Sequence, residues 1–246
     1  RYLSFVPNAP SNAASLFDLV VSASSVYGGT WLEGAGVVAA ENQALRFLSD
    51  MIGFPEKSGG VFVSGGTAAN LSALIAARYD FRSKQPKYEK TRLSILCATS
   101  AHSSIRQAMR AMDFDIVDVD GDEDGRLIGS TLEKAYKKLS DDEKKLIFAV
   151  VASAGATNNG YVDDLENVGS FANKHNIWFH VDGAYGGPAM LCNETRELFN
   201  GVEKADSFTV DPHKWLFAPF DCAALIYKDP TIARAAHSQH AEYLDA

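Results

Sequence analysis

The chain has 246 residues, 46% of them hydrophobic and 22% charged, with a formal net charge of −8. The acidic balance and the absence of a Lys/Arg run argue against a phosphate-backbone binder, so no nucleic-acid partner is expected. The longest uncharged apolar stretch, 146–156, is too short to cross a bilayer, so no membrane span is expected.

In chain order, 15–52 reads as two helices with apolar residues at helical spacing. A short apolar run, 60–64, meets Gly65-Gly66 and opens into an Ala/Leu-rich helix over 67–82. A strand over 93–98 precedes a helix over 104–112. Next come a strand over 114–119 and the turn-rich 120–125. Ser130-Thr131-Leu132-Glu133 has the form of a capping box and announces a helix. Beyond it, 146–151 reads as a buried strand, 164–175 as a helix, and 177–181 as a strand ending at Asp182. Two further strands are expected over 208–210 and 223–227. Near-continuous apolar strands alternating with helices predict an α/β domain whose mostly parallel sheet is covered by helices on both faces.

Cys97, Cys192 and Cys222 are widely spaced and odd in number, and read as reduced, buried thiols of a cytosolic protein. The sequons at Asn70 and Asn193 read as chance matches. The chain opens on Arg1-Tyr2-Leu3 without signal-peptide architecture and stops at Leu244-Asp245-Ala246 without a closing element, so it is expected to be a piece of something longer.

In open α/β sheets, ligands bind beyond the carboxyl ends of the strands. After the first strand, Ser64-Gly65-Gly66-Thr67 opens a helix whose free N–H groups suit a phosphate, although a glycine turn with a Thr cap is also common structure. After the second strand stands His102, which could equally be a helix cap. After the fifth, Asp182 is followed by Gly183-Ala184-Tyr185-Gly186-Gly187; it caps a turn or holds a cationic ligand pressed against Ala184. After the sixth comes Asp211-Pro212-His213-Lys214-Trp215, a lysine in the setting of a Schiff-base nucleophile. A phosphate loop, a ring-stacking His, an Asp to pair a pyridinium and a Schiff-base Lys together form the set that pyridoxal 5′-phosphate requires. Metal chemistry fits less well. His180-x-Asp182 and His237/His240 have no convergent partners, and no metal site is expected.

These residues resemble the group II pyridoxal-phosphate-dependent amino-acid decarboxylases, which act on aromatic amino acids, glutamate or diaminobutyrate. The most specific stretch is 205–215, ending in Pro212-His213-Lys214-Trp215, with 181–187, 63–70, and 155–160 followed by Asp163-Asp164 also matching. Trp31 and Glu41 fall at family-like spacing. The resemblance implies a fold type I cofactor domain over 56–246 preceded by a helical segment over 1–55. The family's C-terminal small domain and mobile catalytic loop would lie outside this chain.

By the same resemblance, Lys214 would bond the cofactor's aldehyde, Asp182 would pair with its ring nitrogen, and Ala184 and His102 would pack on its two faces. Gly65, Gly66, Thr67 and Ser207 would hold the phosphate with Asp211 or His213 nearby, and Thr157 would meet the ring hydroxyl. Many relatives carry Asn where this chain has Asp211. The implied reaction is decarboxylation of an amino acid to the amine and CO2, in a cytoplasmic homodimer with its active site at the interface. Phe5, Tyr27 and Trp31 favour an aromatic or other bulky substrate. Aldehyde synthases carry the same motifs, lyases share the fold, aminotransfer would start from the same bond to Lys214, and a non-catalytic domain could keep the fold.

Overall fold

The computed structural model describes residues 6–238; Phe5 and His240 lie outside them. Two helices lead, α1 (Asn12–Ser24) and α2 (Trp31–Ile52), followed by β1 (Gly59–Val63), α3 (Gly66–Lys84), β2 (Ser94–Ala98) and α4 (Ser103–Met112). Then come β3 (Asp115–Val119), α5 (Gly129–Lys138), α6 (Asp141–Lys144), β4 (Ile147–Ser153), α7 (Leu165–His175) and β5 (Trp178–Asp182). The described chain closes with α8 (Asn193–Arg196), β6 (Ser207–Val210), β7 (Ala223–Tyr227) and α9 (Pro230–Ala236).

The strands form one sheet in the order β1-β7-β6-β5-β4-β2-β3. Strands β3, β2, β4, β5 and β6 are parallel, while β7 runs antiparallel to both β6 and β1. The mostly parallel α/β sheet expected from the apolar runs is therefore the one observed. Its core lies on both faces because successive side chains of a strand point to opposite sides. Along β4, Val150 packs with Leu48, Phe171 and Phe179 on one face, and Val151 with Leu74, Ile95 and Ile105 on the other.

Several helix boundaries follow from their caps. Ser11 Oγ accepts the Ala14 N–H at the start of α1, and Asp164 Oδ1 accepts the Asn167 N–H at the start of α7. The expected capping box at Ser130 is not formed. Helix α5 begins at Gly129, so Ser130 sits inside the first turn, and Glu133 instead reaches Lys174 at 2.7 Å. The described residues carry a capping box one helix later, where Ser140 and Glu143 cap α6 reciprocally. Among the thiols, Cys97 is buried but Cys192 is exposed and Cys222 intermediate, which corrects the expectation of three buried cysteines. Cys192 falls in a surface connection rather than in a strand. No described helix is long and apolar enough to cross a membrane.

Among the described helices longer than four residues, only α1 buries no residue at all. Its Leu16, Phe17, Leu19, Val20 and Val21 are all more than half exposed. The segment just before it is tied down near the lysine motif: Asn8 Nδ2 donates to Lys214 O and Ser11 N to Phe217 O.

Candidate active site

The parallel strands deliver their carboxyl ends to one edge of the sheet, and a cavity of ≈ 230 Å³ opens there. Its walls include Ser64, Gly65, Gly66 and Thr67 from the β1–α3 turn, His102 from the β2–α4 turn, Asp182 and Ala184 after β5, and Asp211, His213 and Lys214 after β6. Thr157 contributes from the loop after β4. Residues far apart in sequence are brought together because the crossover connections return each parallel strand to the same direction.

Helix α3 starts at Gly66 with Gly65 as its cap residue and no side chain satisfying its first N–H groups. A 19-residue helix thus aims its positive end and free donors at the cavity. The approach is tight. A Cβ on Gly66 would stand 3.1 Å from both Asp211 carboxylate oxygens and 3.2 Å from Ala184 Cβ.

Asp182 is 8% exposed and fully engaged, Oδ1 accepting the Ala184 N–H at 3.1 Å and Oδ2 an Asn70 N–H at 2.8 Å. Lys214 Nζ lies 2.8 Å from Asp211 Oδ2. Burial pushes the Asp211 carboxyl above its usual range, with Lys214 and His213 opposing. The other Asp211 oxygen, Oδ1, is buried without a partner. His213 accepts the Cys222 N–H on Nδ1 at 2.9 Å and leaves Nε2 3.6 Å from Asp211 Oδ2.

Two further contacts hold the walls together. Gly155, at φ +96°, packs so closely that a Cβ would fall 2.4 Å from Gly186 Cα. Asp163, 4% exposed, accepts the Leu127 N–H at 2.7 Å and the Ser153 N–H at 2.6 Å, clamping the end of β4 from which the Thr157 loop departs.

One expected site residue is not brought to the cavity. Ser207 begins β6, four residues before Asp211, and strand rise places it roughly 13 Å back along the sheet. It is fully buried, and its Oγ accepts the Trp178 Nε1–H at 2.9 Å and meets His180 Nδ1 at 2.8 Å, so it is not a phosphate ligand here. Tyr27 and Trp31, expected near the pocket, are 63% and 62% exposed and do not line it. Both nitrogens of His180 are occupied by Ser207 and Asn70. No group of three or more His, Cys, Asp or Glu among the described residues could hold a metal ion.

Sequence reasoning also missed residues. Pro7, Asn70, Ser153 and Phe220 line the cavity as well. For Asn70 there was a signal: it is the polar member of an otherwise apolar buried face of Ala69, Ala73, Leu74, Ala76 and Ala77. That burial also removes its sequon from reach of a modifying enzyme.

An uncapped helix terminus, a lysine amine and a buried carboxylate facing one small cavity complement a phosphate, an aldehyde and a pyridinium in turn. The pyridoxal-dependent decarboxylase conserved domain matches residues 1–246. The chain belongs to this family. It is 33% identical over 249 residues to an aromatic-L-amino-acid decarboxylase of Bacillus atrophaeus, covering 99% of this chain and 50% of that protein. A rice structure described as TDC with PLP and tryptamine superposes with TM-score 0.88 at 31% identity, covering 98% of this chain and 52% of that one. A Rhodiola rosea 4-hydroxyphenylacetaldehyde synthase superposes with TM-score 0.86 at 28% identity, covering 98% and 54%. The chain therefore spans about half the length of the relatives it matches. Pyridoxal phosphate is the cofactor of this family, and the residues at the cavity fit it.

Proposed function

We propose that the protein containing this chain removes the α-carboxyl group of an L-amino acid as CO2 and releases the amine. The supporting observation is the convergence of Lys214, Asp182 and the uncapped start of α3 on one cavity. Bound there, pyridoxal phosphate supplies an electron sink for the pair left when the carboxylate departs. Lys214 presents the amine that holds the aldehyde. Asp182, fixed by two hydrogen bonds, keeps a negative charge toward the ring nitrogen. Gly65, Gly66 and Thr67 offer backbone donors to the phosphate. Ala184 and His102 would bound the two faces of the bound ring, Thr157 would meet its hydroxyl, and Asp211 and His213 lie beside the lysine at the same cavity.

An aromatic or other bulky amino acid is the substrate class we favour, because curated proteins similar to this chain are named for aromatic, tyrosine or tryptophan decarboxylation. We also read the chain as part of one protomer of a cytoplasmic homodimer, with 1–55 a leading segment and 56–246 the cofactor domain. An apolar helix with no residue buried needs a second surface to cover it. Helix α1 is tethered beside the Lys214 loop, so that surface would adjoin the cavity. Unpaired thiols fit a reducing compartment. A second reading, aldehyde synthesis, is favoured by the Rhodiola rosea neighbour.

The experiment is to load the full-length protein with pyridoxal phosphate and offer tyrosine, tryptophan, dihydroxyphenylalanine, histidine, glutamate and diaminobutyrate. Release of CO2 with the matching amine from one of them is expected, and Lys214→Ala should abolish it. CO2 with aldehyde in place of amine would support the second reading. Cofactor held on Lys214 with no CO2 from any substrate would refute both.

A further inference from the structure

The polar groups beneath the cavity form one continuous chain of hydrogen bonds. Trp178 Nε1 lies 2.9 Å from Ser207 Oγ, which lies 2.8 Å from His180 Nδ1. His180 Nε2 lies 2.9 Å from Asn70 Oδ1, and Asn70 Nδ2 lies 2.8 Å from Asp182 Oδ2 and 2.9 Å from Ser104 Oγ. Ser104 Oγ in turn lies 2.9 Å from His102 Nδ1. Asn70, Ser104, His180 and Ser207 are each at most 1% exposed, so protein partners alone must satisfy them.

The direction of every proton in this chain follows from its fixed members. Ionised Asp182 can only accept, so the Asn70 amide must turn its NH2 toward it and its oxygen toward His180. His180 must then carry its proton on Nε2 and accept on Nδ1. Burial holds His180 well below the usual imidazole range, in keeping with that neutral form. The Ser207 hydroxyl proton is therefore directed to His180, leaving its lone pairs to accept from Trp178, whose indole can only donate. The two ends agree. The opposite orientation of Asn70 would set its oxygen against the Asp182 carboxylate at 2.8 Å.

The second Asn70 N–H goes to Ser104 Oγ, so the Ser104 proton has one remaining acceptor, His102 Nδ1. The Ser104 backbone N–H points at the same nitrogen at 3.3 Å. Two donors aimed at Nδ1 leave the proton of neutral His102 on Nε2, the ring nitrogen with no partner among the described residues.

We propose that Asn70 is a positioning residue that orients Asp182 with one amide hydrogen and, through Ser104, sets the tautomer of His102 with the other. The two groups bounding the cofactor cavity from β5 and from α4 are thereby set by a single amide. That amide is itself aligned by the buried His180–Ser207–Trp178 row. The inference deepens the reading of this site given above, but its first test needs neither cofactor nor substrate.

The test is nitrogen-15 NMR of histidine-labelled full-length apoprotein, with His102 assigned from its loss in His102→Gln. In its neutral form His102 is expected to show an unprotonated Nδ1 and a protonated Nε2. Ser104→Ala should raise the Nδ1–H fraction about five- to tenfold, the value of one hydrogen bond. Ser104→Thr, which keeps the hydroxyl, should restore the wild-type pattern. A protonated Nδ1 in the wild-type protein, or no change in Ser104→Ala, overturns the proposal whether or not the enzyme decarboxylates anything. On the Asp182 side, Asn70→Ala that still folds should weaken pyridoxal phosphate binding about fivefold or more and move the absorbance of the bound cofactor. Unchanged affinity and spectrum would overturn that half.

Discussion

Asp163 lies in a sequence block shared with the decarboxylases, and its position predicts a pH-dependent cost. The carboxyl is 4% exposed, and burial pushes its pKa up from 3.8 to about 6, with the Ser153 and Leu127 N–H groups opposing. In the unfolded chain it titrates near its ordinary value of about 3.9. The neutral form is thus favoured by folding, and the stabilisation is fully present below about pH 4 and lost as pH rises through about 6. A difference of about two pKa units corresponds to ~3 kcal/mol. Asp163→Asn removes the titration. It also sets an amide NH2 against one of the two backbone donors, a pH-independent cost of about 1–3 kcal/mol. The measurement is urea unfolding of both proteins from pH 4 to pH 7.5. The stability of wild type relative to Asp163→Asn should fall by ~2 kcal/mol between pH 4 and pH 6.5 and stay nearly level above that. A difference that rises with pH would refute the reasoning, because it would mean the two short N–H contacts outweigh burial and depress the carboxyl.

Gly66→Ala should weaken pyridoxal phosphate binding about tenfold or more by displacing Asp211 and Ala184, while the same crowding offsets the added helix propensity and leaves apoprotein stability within ~1 kcal/mol. Fluorescence titration beside thermal unfolding reads both, and equal affinity would count against a tight cradle. Gly155→Ala should cost roughly 2 kcal/mol or more, since it combines a left-handed φ with a backbone contact at Gly186. A melting temperature within a degree or two of wild type would contradict that. Ser207→Ala should cost about 1–3 kcal/mol of stability, because the Trp178 indole N–H loses its acceptor. Weakened phosphate binding at unchanged stability would instead return Ser207 to the cofactor site.

Much of this molecule is legible in local pattern. Apolar runs marked the strands to within a residue or two because a doubly covered sheet must be apolar on both faces. The cavity residues could be found because each follows a strand directly, where parallel topology collects ligand-binding groups. Lys214, Asp182, His102 and Gly66 needed nothing more than that rule. Ser207 came from the resemblance and not from that rule, and it stands near the lysine motif in sequence but at the wrong end of its strand. The spacing of Tyr27, between α1 and α2, and of Trp31, at the start of α2, carries no information on which way the leading segment faces.

The sequence by itself determined which residues could do chemistry, because glycine turns, a lysine after Pro-His and a carboxylate at a strand end are local features. Only the tertiary structure decided how those residues are held. Asn70 meets Asp182 across 112 positions and His180 across 110, and Asp163 clamps Leu127 across 36. Such contacts depend on which buried donors lack water and must find a partner, a condition set by packing and not by neighbours in the chain.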